Sequence, residues 1–187
     1  LGFQLRDISP TGDVPLRNVQ VRFVFSRELR ASTATSSIQV VRADNGVPVD
    51  GTLLIGGSIV TFTPAAPCPE PNASRRCFQG NTEFIARVDG SLRSSIGQAI
   101  ACGGRAPECE VRFRTGDRVD VSPPRVDIRA PLFGQSVPAN DLVRVQTFAS
   151  DDSGVSYIES YADGRSIGTA VRASTSTQAF LDGTVVW

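Results

Sequence analysis

The chain has 187 residues, 40% hydrophobic and 7% aromatic, more than one β-sandwich of about 100 residues and less than two with a connector. Its 19 basic residues, all Arg, balance 19 acidic ones, which denies it the long-range positive field of a nucleic-acid binder. Histidine is absent, removing the commonest general base, the usual partner of a nucleophilic Ser or Cys, and the commonest metal ligand.

No run approaches the roughly 18 apolar residues of a membrane span, so no membrane insertion is expected. The first residue is Leu1 and no signal peptide is visible, so the chain is expected to be a piece of a longer protein. Alternation of apolar and polar residues dominates, and no stretch keeps a helical period for three turns. Val19, Val21, Phe23 and Phe25 share one face of a strand, with Gln20 and Arg22 on the other. The Ala/Ser/Thr run after Leu29 suits one short helical turn, and Ile38–Val41 resumes as a strand. Asp44-Asn45-Gly46 is a turn, because Asn and Gly accept positive φ, and Val47–Ile55 is expected to return as the next strand. Gly56-Gly57 turns into Ser58–Thr63.

From Pro64 to Gly80 the chain reads as a Pro-rich loop with little core of its own. Thr82–Val88 is a strand with Phe84, Ala86 and Val88 on one face. A second irregular stretch follows, and Val111–Thr115 closes a first domain with Val111 and Phe113 inward and Arg112 and Arg114 outward. Residues 117–124 read as a linker ended by two prolines, an extended and stiff connection. New strands are expected at Val126–Arg129, Leu142–Ala149, Tyr157–Ala162 and Ser166–Val171, with shorter ones at Gln178–Leu181 and Thr184–Trp187.

The four cysteines lie in the two irregular stretches. Three connectivities are open, and the local pairs Cys68–Cys77 and Cys102–Cys109 are favoured because loops this short close easily. Gaps of eight and six residues are too wide for the usual zinc knuckles. Disulfides imply a compartment outside the reducing cytosol.

Val14-Pro15-Leu16, VRFVFSREL from Val21, VTFTP from Val60, NTEFIARV from Asn81 and FRTG from Phe113, in this order, resemble the Ig-like domain of bacterial S-layer-type surface proteins. The two cysteine-bearing loops depart from that pattern and read as local insertions. From Pro124 onward, PRVDI, ASDDSGV from Ala149, IESY from Ile158 and Asp163-Gly164 resemble another class of bacterial Ig-like domain. That resemblance implies two further strands, so the second domain is expected to lack its last strands.

The expectation is an all-β chain of two tandem immunoglobulin-like sandwiches: residues 1–116, a linker at 117–124, and a truncated second domain at 125–187. The resemblance implies stalks, spacers and adhesion modules without catalytic residues, so no enzyme is expected. The chain reads as a structural spacer or presentation module of a large bacterial protein, secreted, cell-surface or periplasmic, whose partners are neighbouring domains of the same polypeptide. Two other readings stand beside it: an adhesin or carbohydrate-binding module with a cell-surface or glycan ligand, and accessory domains of an exported hydrolase.

No cofactor is required, and calcium is the one candidate. Asp117, Asp120, Asp151, Asp152 and Asp163 offer the carboxylates it prefers, whereas Asp in a turn more commonly bonds its own backbone. Tyr157, Tyr161 and Trp187 are candidates for a sugar platform, although Trp187 is better expected in the second core. Asn72-Ala73-Ser74 matches a glycosylation sequon by coincidence, and no G-x-S-x-G elbow or phosphate loop is present.

Overall fold

A computed structural model describes residues 2–102, 109–139, 141–151, 154–155, 157–171 and 179–187. The chain divides into two units, Leu1–Asp120 and Val121–Trp187.

In the first unit, alternating Val and Phe build two sheets that bury their apolar faces together. β1 (Phe3–Ser9), β3 (Val21–Phe25), β5 (Gly51–Gly56), β6 (Ile59–Pro64) and the two-residue β8 (Ile100–Ala101) form a sheet in the order β5-β6-β3-β1-β8. β2 (Gly12–Leu16), β4 (Ile38–Arg42), β7 (Glu83–Val88) and β9 (Glu110–Arg118) form the other, in the order β2-β9-β7-β4. This is the ABED and CFG arrangement of immunoglobulin folds. The first strand is split between the sheets: β1 pairs antiparallel with β3, and β2 pairs parallel with β9. The helical turn expected after Leu29 is α1 (Ala31–Ser37).

Four local expectations change. Asp44–Gly46 turns as expected, with Gly46 at φ 70° and the Asn45 carboxamide accepting from Val47 N. It does not close a hairpin, however. The returning chain touches β4 through a single bridge, Val41 to Pro48, and then crosses to pair with β6 in the opposite sheet. That contact is made by the flanking residues: Arg42 N donates to Val47 O at 2.9 Å and Val49 N to Val40 O at 2.8 Å. Arg22, expected outward, is buried at 4%, as is its register partner Thr61 at 9%, so β3 is covered on both faces. The strands β1 and β2 precede the first expected strand altogether, and β9 runs through Arg118, into the stretch read as linker.

Twenty of the described residues form the core cluster of this unit. Its centre is aromatic. The Phe78 ring lies 4.8 Å from Phe84, 5.4 Å from Phe113 and 6.1 Å from Phe62, while Phe84 stacks on Phe113. Such pairs add about 0.5–1.5 kcal/mol each beyond the area they bury.

The second unit has a three-stranded sheet, β10 (Arg125–Ala130), β11 (Arg144–Ser150) and β14 (Phe180–Val186), in the order β10-β11-β14. A two-stranded sheet, β12 (Tyr157–Ala162) and β13 (Arg165–Val171), accompanies it. The two short strands expected near the C-terminus are one, passing through Gly183. A Cβ there would lie 2.5 Å from Thr147 Oγ1 and 2.8 Å from Ala170 Cβ, so the glycine lets the two sheets approach. The described core is Ala149, Val155 and Ile158, with Ala170 and Leu181 against it. Trp187, expected in this core, is 56% exposed: its backbone pairs both ways with Val143 while the ring faces outward.

Candidate functional site

The Pro64–Gly80 loop is more than an insertion held shut. Cys68 and Cys77 form a disulfide, and both are buried. The backbone around them is a small ladder: Cys68 N donates to Arg75 O and Cys77 N to Ala66 O, each at 2.9 Å. The loop thereby delivers Phe78, 1% exposed, to the centre of the aromatic cluster. The expectation of a loop with little core of its own is corrected: it supplies the central core ring. Phe78 escapes periodicity arguments because it stands alone among polar loop residues. The available signal was its place directly after a bridged cysteine.

The same loop grips the end of β2. Phe78 N donates to Arg17 O at 2.7 Å, and Arg17 Nε donates to Phe78 O at 3.1 Å. Arg17 N donates to Arg118 O at 2.8 Å, continuing the β2–β9 ladder. One residue on, the Asn18 carboxamide both donates to Asp120 O and accepts from Asp120 N, each at 2.8 Å. Buried Thr115 on β9 donates from Oγ1 to Gln79 O at 2.6 Å. Loop, first strand and last strand thus converge where the chain leaves the unit.

The second expected disulfide, Cys102–Cys109, is present, with its intervening residues outside those described. In the first unit Asp117 lies in β9 and Asp120 two residues beyond its end; in the second Asp163 sits in the β12–β13 turn at φ 48° and Asp151 follows β11; Asp152 lies outside the described residues. Among the described residues no three or more carboxylates or cysteines come close enough to hold a metal ion. Of the aromatic candidates, Tyr157 and Tyr161 are on the β12–β13 sheet and Trp187 follows β14 of the other. A hydrogen bond to Glu159 raises the Tyr161 phenol above its ordinary pKa.

Two surface depressions on the first unit are lined in part by charged side chains, several of them held by neighbouring side chains or turn N–H groups. One holds Arg42, Asp44, Glu83 and Arg114. There Asp44 lies 2.6 Å from Arg42, which lowers its pKa and is itself raised in return, and Arg42 also donates to Gln79. The other holds Ser37, Arg87, Asp89 and Glu110. Asp89 is lowered, first by the Ser91 side chain and then by Ser91 N–H at 2.7 Å. These are local turn and ion-pair contacts of a sandwich surface.

Residues 124–184 match the family model described as the bacterial Ig domain. The match lies within the second unit, which it identifies as a bacterial Ig-like domain, and spans about a third of the chain. Comparison with curated proteins returned no match. The first unit has the immunoglobulin topology described above. No described helix is long and apolar enough to cross a membrane.

Proposed function

We propose that this chain is a non-catalytic spacer or presentation module of a large bacterial protein that acts outside the cytoplasm, at the cell surface, secreted or in the periplasm. The observation that carries the reading is the bacterial Ig match at residues 124–184, preceded in the same chain by a second immunoglobulin sandwich. Each folded sandwich contributes a unit of fixed size to the polypeptide, which is what a spacer requires. Two local disulfides support an oxidising compartment.

Replacement tests this directly. Exchanging residues 1–120 in the parent polypeptide for an unrelated sandwich of equal length should leave display of the flanking regions unchanged, because a spacer contributes length and not contacts. Loss of attachment to cells or glycans on that exchange, with capture of a glycan by the 187-residue chain itself, would instead make the protein an adhesin.

A further inference from the structure

A spacer held between two anchored ends carries load, and the first unit has a specific arrangement where that load would pass. Force entering through its first strands and leaving after Asp120 acts on β2 and β9 in opposite senses. These strands are parallel, paired Gly12 to Phe113, Asp13 to Arg114, Val14 to Thr115 and Leu16 to Arg118. Parallel strands pulled apart along their axes load their cross-links together. A hairpin pulled from one end opens them singly.

The ladder alone has a weakness at its middle. Pro15 has no N–H, and the register shifts between Val14 and Leu16. Opposite it stands Gly116, where any Cβ would collide with the Pro15 carbonyl. Immediately beyond, Arg17 and Asn18 make five hydrogen bonds, three to β9 and its exit and two to Phe78. Phe78 is anchored in the aromatic core and held by the disulfide-closed loop. β2 therefore cannot slide along β9 without breaking the Asn18 pair and stripping Arg17 from a residue fixed in the core.

We propose that Arg17 and Asn18, braced by the Cys68–Cys77 loop through Phe78, form a mechanical clasp that sets the unfolding rate of the first unit under tension. The inference rests on the spacer reading, since only a tethered module is loaded through its ends. Forced unfolding is governed by the unfolding rate and not by equilibrium stability. Contacts that must rupture first therefore matter more under load than in a melt.

The test is constant-force extension of the full 187-residue chain held by handles at its two ends. The first unit is recognised by a release of roughly 300 Å of chain, against roughly 200 Å for the second, at about 3.5 Å per residue. Asn18→Ala removes two bonds and should raise its unfolding rate roughly tenfold. Arg17→Met keeps the aliphatic stem, removes the bond from Nε, and should raise the rate roughly threefold. Gln39→Ala is the control: it removes the Arg87–Gln39 contact between β4 and β7, off the load path, and should leave the rate under load unchanged. Denaturant curves for all three check that each folds and match them for equilibrium stability. Asn18→Ala and Arg17→Met unfolding under load no faster than Gln39→Ala would overturn the clasp. Glycan capture by a chain whose variants still show the rate differences would overturn the spacer reading and leave the clasp standing.

Discussion

The two units share an architecture class and differ in how completely they bury it. Among the described residues, the first closes a five-stranded on a four-stranded sheet around a core cluster of twenty buried residues, whereas the second has a cluster of three. The clearest sign is β10. By register Val126 pairs with Ala149 and Ile128 with Thr147, which places all four on one face. Ala149 and Thr147 are buried, yet Val126 is 62% and Ile128 64% exposed. Period-two patterning fixes the side to which a residue points. Burial also needs something on that side.

The largest effect that sharpens this contrast belongs to Phe78. Truncation to Ala removes a ring touching three others and should cost about 3–5 kcal/mol. In calorimetry the loss should fall on the first unit's transition and spare the second's. Movement of both transitions together would break the division into independently stabilised units.

Next comes the loop that delivers that ring. Replacing Cys68 and Cys77 by Ser releases a nine-residue separation, worth about 2–3 kcal/mol by loop-closure entropy. If the bridge acts through Phe78, the cost in the Phe78→Ala background should fall well below the cost in the wild type. Additive costs would show that bridge and ring act separately.

What was legible in the sequence follows the same physics. Phe84, Ala86 and Val88, or Val111 and Phe113 against Arg112 and Arg114, announce their faces because the strands are regular and their partners lie in the same sandwich. β1 hides for a local reason: its register shifts between Leu5 and Asp7, so the buried residues are Phe3, Leu5 and Ile8, and the alternation breaks after one repeat. The turn at Asp44–Gly46 was legible as a turn. Its destination was not, since turn chemistry fixes local backbone and not the sheet that receives the next strand. The clasp was illegible because Arg17, Asn18, Phe78 and Asp120 are joined only by the fold. Trp187 was misplaced by assuming that a large aromatic finds a core, where the described core of its unit is small.

A matched substitution probes the contrast at single positions. Ile38 is 3% exposed and Ile128 64%, so Ile38→Ala should cost about 2–5 kcal/mol in the first unit. Ile128→Ala should cost under about 1 kcal/mol in the second, because little apolar area is withdrawn from water there. Equal losses in the two melting transitions would mean that β10 is covered in solution.

The smallest effect is electrostatic and again separates the units. Asp44 is lowered chiefly by its hydrogen bond with Arg42, and Asp89 by its bonds with the side chain and N–H of Ser91. A carboxylate with a depressed folded pKa contributes stability that is fully present above its unfolded value, about 3.9, and is lost as pH falls through the lower folded value. Both residues are in the first unit, so Asp44→Asn with Asp89→Asn should lower that unit's melting temperature slightly at neutral pH. The gap from wild type should close as pH drops below the ordinary carboxylate range. Because the side chains are exposed, salt should shrink the Arg42–Asp44 part while leaving the Ser91 N–H bond to Asp89 largely intact. The second unit's transition, measured in the same scans, is the internal reference. A gap that persists undiminished in acid would assign these carboxylates a steric role in their turns in place of an ionic one.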